Sequence, residues 1–442
     1  MEQKRDDAYQ NWGFIFNSNG TLKRNSIVNI EAILANDENI KGKIAYNEFT
    51  YDVEIIKKIP LEYFDIKTGV AKNDLEPALL SYFEKYYQVL FPKANIGDAI
   101  INIANRQKFN PVTDYFEHVY SIWDKKERIP TFFPEFLGVE HSEITTLITK
   151  LWLVGTVTKA YDPLAKFDFV LDLVGGQGSG KTTILQKLSK GWYTDAITDF
   201  KDKDNFSNML RALIVNDDEM VATQNSKFEE IKKFVTTPYL EFRKPFDRRA
   251  ERYPKNFVLA RTTNHVEYLK DKTGERRFLP LLANAERQLF HPVSDLTDEY
   301  IDQLWGEAVH LYRNDFSFTL TQEEVEALEE HRVTFQYQDD IEAAIETYLS
   351  IGIPRDFDNW DKYDQQDYIQ DMMHKGYSTK GKPEEERTRV TSGGIAWECF
   401  CKNLTSDRKL ANKIKYIFDN KNGWEKSRFR INKVSKDGYK KK

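Results

Sequence analysis

The chain has 442 residues, 40% of them hydrophobic and 14% aromatic, with a formal charge of −6. That length and apolar content exclude a wholly disordered chain and leave room for about three domains. Two cysteines exclude a disulfide framework and a four-cysteine zinc site; the opening residues hold no apolar signal segment, no run of about 18 apolar residues predicts a membrane span, and a reducing, cytoplasmic setting is expected.

In chain order, residues 1–24 are polar and predict a loose arm. Short alternating runs such as Lys43–Ile55 then mix with helical stretches such as Asp74–Leu90, and 1–100 is expected to be an accessory domain of strands and helices. Residues 101–160 read as a helical collar for oligomerisation, with Leu147, Leu151, Val154 and Val157 on one buried face. At Phe167–Val174 the texture changes to a β-rich run that ends at glycine. Two more apolar runs, 211–220 and 256–263, alternate with helical segments, which predicts an α/β fold for a domain over 161–345. Pro354, Pro383 and many charges predict a flexible link at 346–390. A small basic domain is expected at 391–442, with Ile395, Trp397, Phe400, Leu404, Leu410, Ile414, Ile417, Phe418 and Trp424 for a core. Cys399 and Cys401 lack nearby Cys or His partners and are read as core residues too.

The charge is uneven. Residues 402–442 carry 14 basic and 4 acidic side chains, and 226–280 carry 14 basic and 8 acidic ones. Two basic islands in an acidic chain mark two places for a polyanion.

Gly175-Gly176-Gln177-Gly178-Ser179-Gly180-Lys181-Thr182 matches G-x-x-x-x-G-K-[ST], between a predicted strand and a predicted helix that begins with Thr183. Glycines turn the backbone so that successive N–H groups face one anion, and the helix N-terminus adds positive charge. This cradle is expected to bind ATP, with Lys181 on the β- and γ-phosphates and Thr182 on Mg²⁺. About 35 residues on, Ala212–Glu219 is an apolar strand ending in carboxylates. Asp218 is assigned to the metal and Glu219 to the attacking water, with Asp217 a competitor for the metal. Asn256–Thr263 is the third apolar run, and Asn264 after it stands where a side chain meets the γ-phosphate or the water. In Thr273–Phe278, the paired Arg276 and Arg277 on a Gly-led turn suit transition-state charge, supplied in trans as an arginine finger.

This ordered set resembles the virulence-associated protein E family. The likeness rests on GGQGSGKT, LIVNDDE, KKFVTTPYLEFRKPFDRR and RTTNHVEYLKDKTGERRF, and extends to AYNEF, FNPVTDYFEHVYSIWDKKERI, LWLVGTVTKAYDP and QLWGEAVHLY, over roughly residues 25–345. The family is similar to superfamily 3 helicases, so the resemblance implies an AAA+ type P-loop core and a homo-oligomeric ring, usually a hexamer, that hydrolyses ATP and moves along DNA in phage or mobile-element replication, with a primase or other replication protein as a possible partner. It implies the phosphate and Mg²⁺ roles of Lys181 and Thr182, acids at Asp218 and Glu219, a sensor at Asn264 and a finger at Arg276 or Arg277. The chain departs from the family pattern where Asn216 replaces a first Glu, which leaves the metal ligand open between Asp217 and Asp218, and where Glu275 replaces a common Asn.

In superfamily 3 rings a hairpin before the sensor strand grips DNA. The matching stretch is Tyr239–Phe257, with arms expected at Tyr239–Phe242 and Asn256–Leu259 around Arg243, Lys244, Arg248, Arg249 and Arg252. The basic end resembles a winged helix: a helix at about 406–419 for the major groove, and Arg428 and Arg430 in a wing that docks duplex origin DNA. Asp52-Val53-Glu54 matches a primase-type acid pair, and no further acid or His supports that chemistry. The alternative function is a nucleic-acid-binding P-loop switch or defence ATPase that does not unwind.

Overall fold

The computed structural model describes residues 11–61, 65–244, 249–269, 275–336, 340–404, 407–419, 421, 423–431 and 434–442. It divides into two compact units, Met1–Phe335 and Gln336–Lys442.

The first unit opens with a small layer of its own. Ser26 caps the helix Ile27–Asn36 by accepting from the Asn29 N–H. Strands β1 (Ile44–Asn47) and β2 (Asp52–Ile55) follow, then the short pair β3 (Ile59–Pro60) and β4 (Asp65–Ile66), then β5 (Gly69–Val70). After the helices Leu75–Tyr87 and Lys93–Arg106 comes β6 (Lys108–Phe109), which completes a sheet of order β5-β2-β1-β6. Ile30, Ile33, Leu79, Phe83, Ile96 and Ala99 close its core. Phe14 and Leu22 belong to that core, so the arm expected at 1–24 is packed over its described part; apolar side chains too sparse to show a period still find a surface.

Helices Pro111–Ser121, Phe132–Leu137 and Glu143–Tyr161 lead to the central sheet. Its strands are β7 (Val170–Val174), β8 (Tyr193–Thr194), β9 (Ile214–Asp217), β12 (Val258–Thr263) and β13 (Phe278–Leu282). The order is β13-β7-β12-β9-β8, with every pairing parallel. β7 and β12 are buried along their whole length, as a parallel sheet covered on both faces demands. Alternation sorts the faces: Leu171 and Leu173 join Trp152, Leu185 and Trp305, while Val170 and Val174 join Met209, Phe234 and Phe257. Asp172, the polar residue within β7, pairs with Arg261, its register partner on β12, at 2.5 Å, and Tyr268 donates to the same carboxylate. A five-stranded parallel sheet with a glycine loop after its first strand is consistent with a P-loop ATPase core.

Between β9 and β12 stands an antiparallel pair, β10 (Tyr239–Phe242) and β11 (Glu251–Pro254). The second hairpin arm is therefore Glu251–Pro254, not Asn256–Leu259. Val258 pairs with Ile214 and carries the chain into the central sheet, so the run of large apolar residues there marks a core strand.

The second unit packs Ile345, Tyr348, Tyr368, Ile369, Ile414 and Phe418 together. The stretch expected to be a flexible link is folded: helix Lys362–Lys375 buries Tyr368 and Ile369 there, two positions too few to stand out among its charges. A helix at Arg408–Asp419 precedes the strands β15 (Trp424–Ile431) and β16 (Val434–Lys441), and β14 (Arg389–Val390) adds to β16. Phe418 stacks on Tyr439, centroids 4.6 Å apart. Cys399 is buried as expected, but Cys401 is exposed: at φ 53 it lies beyond the helical turn Ile395–Cys399. No helix among the described residues is long and apolar enough to cross a membrane.

Candidate nucleotide site

The glycine loop lies at the carboxyl end of β7. Gly175 has φ 141, and a Cβ there would stand 2.5 Å from the Ala283 carbonyl. Gly180, at φ 85, is the N-cap of helix Lys181–Leu188, and a Cβ on it would strike Pro292 at 2.6 Å. Only glycine takes these turns with such close neighbours, and the result points the first N–H groups of the helix into one cavity. That cavity, about 200 Å³, is lined by Gln177–Thr183, Asp218, Glu219 and Thr262–Asn264. Lys181 Nζ donates to the carbonyls of Gly175 (2.7 Å) and Gly176 (2.9 Å) and to Asn264 Oδ1 (3.1 Å). Burial lowers the pKa of this ammonium, a penalty that phosphate oxygens would offset.

The two aspartates left open by the sequence have different tasks. Asp217 is buried; its carboxylate accepts from the N–H groups of Ala222 (2.8 Å) and Thr223 (2.8 Å) and from Thr223 Oγ1 (2.6 Å), which fixes the turn after β9. Asp218 faces the cavity. Its Oδ1 accepts from Thr182 Oγ1 at 2.9 Å, Thr262 Oγ1 at 2.7 Å and Asn216 Nδ2 at 3.2 Å. A hydroxyl and a carboxylate oxygen side by side form the hard donor pair that Mg²⁺ favours, so the residues present fit that ion. Glu219 is exposed at the cavity and held at φ 52, ψ 20, in the left-handed region. Its N–H donates to Thr262 Oγ1 at 3.0 Å. Backbone strain of this kind persists only where neighbours over-determine it, and it gathers at functional sites.

Sequence reading missed Thr262, which ties both acids to β12, and Gln288, whose Nε2 donates to the Ser179 carbonyl at 2.7 Å. Thr262 carried a faint signal, as a polar residue at the end of an apolar run. Gln288 carried none.

The arginine turn, Glu275–Arg277, lies elsewhere. Phe278, which follows it, pairs with Val170, the first residue of β7, so the turn sits at the end of the sheet opposite the glycine loop. The length of β7, about 15 Å, separates the two. Arg332 holds the turn by donating to the carbonyls of Phe278 (2.8 Å) and Arg276 (2.9 Å). Arg276 is exposed and Arg277 half-buried.

With this geometry in place, the profile of the virulence-associated protein E-like domain matches residues 117–337. The chain belongs to the virulence-associated protein E-like family. The match starts later than the likeness expected from about residue 25. No curated protein matches this family member. Among solved structures, the apo form of the NrS-1 C-terminal region (305–718) aligns at 12% identity and TM-score 0.46, over 90% of this chain and 96% of that one. An A-form apo structure of the same region aligns at 14% identity and TM-score 0.44, over 90% and 95%.

In this virulence-associated protein E-like chain the expected DNA contacts fare unequally. Arg243 and Arg249 are exposed, and Arg248 lies outside the described residues. Lys244 is not open to a ligand: its Nζ meets Asp52 Oδ1 at 2.9 Å and the Tyr51 carbonyl at 2.6 Å. Arg428 pairs with Asp437 at 2.8 Å, and Arg430 is exposed.

Proposed function

We propose that the chain is an ATP-driven DNA helicase and replication initiator of a phage or mobile element. Copies assemble into a ring, expected to be a hexamer, and each nucleotide is completed across a subunit boundary. The observation that carries this reading is the separation within one chain. Lys181, Thr182, Asp218, Glu219 and Asn264 meet at one end of the sheet, and Arg276 and Arg277 stand at the other. An arginine finger that cannot reach its own loop has a purpose only in a neighbour's site.

The loop N–H groups and Lys181 bind the phosphates. Thr182 and Asp218 would hold Mg²⁺, which when bound neutralises phosphate charge. Glu219 orients and deprotonates the attacking water, Asn264 fixes it against the γ-phosphate, and the neighbour's Arg276 or Arg277 meets the charge that develops. The β10–β11 hairpin, with Arg243 and Arg249, is assigned to single-stranded DNA. The basic second unit, with Arg430 and its helix Arg408–Asp419, is assigned in a winged-helix role to duplex origin DNA.

The test is ATP-dependent unwinding of a forked duplex, with Lys181→Ala as control. Unwinding that this change abolishes supports the motor. The held Lys244 favours a second reading, an ATPase that binds nucleic acid without unwinding; DNA-stimulated hydrolysis with no strand separation, at low salt as well, selects it.

A further inference from the structure

A second cavity, about 430 Å³, opens at the arginine end of the sheet. Among the described residues, its wall carries Lys159, Lys166, Lys255, Arg276 and Arg277 against one carboxylate, Asp168. So many cations around one space repel one another until an anion enters. Arg277, which lines the cavity, has its Nε buried without a hydrogen-bond partner among the described residues. A buried donor with no acceptor is costly, so this guanidinium has hydrogen-bonding capacity that its own surroundings leave unused.

The same wall is the root of the hairpin. Thr236, Thr237 and Pro238 line it. The Lys255 N–H donates to the Pro238 carbonyl at 2.9 Å, just beyond the last β10–β11 pair. Its buried Nζ donates to the carbonyls of Phe234 (2.6 Å) and Val235 (3.0 Å), at the end of helix Phe228–Thr236. One residue thus touches the cavity, the helix end and the hairpin.

We propose that this cavity receives the terminal phosphate of a nucleoside triphosphate held by a second copy of the chain, and that Lys255 passes its occupancy to the hairpin. The inference rests on the finger reading above and adds three lysines and a route to DNA. A phosphate in the cavity competes with the Phe234 and Val235 carbonyls for the Lys255 ammonium. As those bonds weaken, the helix end and Pro238 are freed to shift, and the hairpin with them. Lys255 is a positioning residue here, since it acts on DNA through the hairpin.

The experiment uses the full chain and a fluorescent single strand, titrated by anisotropy with ADP or with a slowly hydrolysed ATP analogue. Wild type should bind the strand with affinities about tenfold apart in the two states, within the usual range of such couplings. Lys255→Met should bring the ratio near one, and Lys255→Arg should restore most of it. Lys166 is exposed at the cavity, so Lys166→Glu tests the anion site even where Lys255→Met fails to fold; it should raise the analogue concentration at half-change several-fold. An unaltered ratio in Lys255→Met, or an unaltered half-change in Lys166→Glu, overturns the proposal. Equal loss of strand affinity with both nucleotides in Lys166→Glu assigns the cavity to DNA phosphates instead and also overturns it. Steady-state hydrolysis by Arg276→Ala and by Arg277→Ala tests the finger by itself: wild-type turnover in both defeats that reading whatever Lys255 does.

Discussion

Lys181 Nζ lies 3.1 Å from Asn264 Oδ1, which joins the loop helix to the carboxyl end of β12 across the mouth of the phosphate cavity. On the proposed function, the terminal phosphate and the attacking water come to lie beside this amide. Asn264→Ala should therefore lower kcat about a hundredfold and leave nucleotide affinity within a few-fold, since the contact serves the transition state more than the bound ground state. Single-turnover hydrolysis beside equilibrium binding of a fluorescent nucleotide separates the two. A large loss of affinity with kcat retained would make Asn264 a binding residue instead.

Asp217 and Asp218 are neighbours in sequence with opposite tasks. Asp217 accepts three hydrogen bonds that hold the turn after β9, whereas Asp218 meets Thr182. Asp217→Ala should cost about 2 kcal/mol of stability by leaving buried donors unpaired. Asp218→Asn should melt near the wild-type temperature and lose Mg²⁺-dependent hydrolysis. Thermal melts and ATPase assays of the pair check this, and the reverse pattern would exchange the roles.

The difference between these two acids also marks how far the sequence could be read. Gly175–Thr182 announces its own geometry, because its glycines, lysine and threonine sit at fixed spacing on one local turn. The ends of β9 and β12 were legible from apolar runs that stop at polar residues. The register at Asp217 was not, since which carboxylate faces the cavity depends on the left-handed turn at Glu219 and on Thr262, a partner 44 residues away from Asp218. The surroundings of Lys244 were hidden for the same reason: a basic residue in a hairpin looks free until β2 brings Asp52 to it. The buried Asp172–Arg261 pair was visible only as a charge misplaced in a strand. The folded stretch at 346–390 hid its core behind a polar composition.

Arg276 and the glycine loop of one chain are separated by the length of β7. Mixing two inactive variants should then restore activity. Lys181→Ala keeps the arginine turn and loses the loop, and Arg276→Ala does the opposite. A mixture can form boundaries that hold one good copy of each, so hydrolysis above that of either variant alone is expected at concentrations that favour assembly. An additive, inactive mixture would argue that Arg276 acts within its own chain or plays no part.

Asp52 binds two cations of the first unit, Lys244 at 2.9 Å and Arg211 at 2.9 Å, and so anchors the base of the hairpin to β2. Lys244 also lies over the Tyr253 ring, 4.9 Å from its centroid. The Asp52–Lys244 pair is largely shielded, so a double-mutant cycle with Asp52→Ala and Lys244→Ala should give a coupling of about 1 kcal/mol, above the usual exposed pair. Lys244→Ala should leave the salt dependence of DNA binding unchanged, because this lysine is held by protein. A slope lower by about one would return Lys244 to the DNA contacts.

Burial lowers the Lys255 ammonium to about 7, far below its ordinary value of 10.5. The unfolded chain therefore binds this proton more tightly than the folded one between about pH 7 and 10.5. Stability contributed at this position is lowest below pH 7 and rises with pH through that window. Lys159, lowered to about 8 chiefly by burial, adds the same sign from about pH 8 upward. Other groups titrate in this range, so the quantity to measure is a difference: unfolding free energies of wild type and Lys255→Met at pH 7, 8 and 9. Wild type should gain on the variant at each step. A constant difference would mean that Lys255 keeps its ordinary proton affinity in the fold, with the Phe234 and Val235 carbonyls compensating fully for its burial.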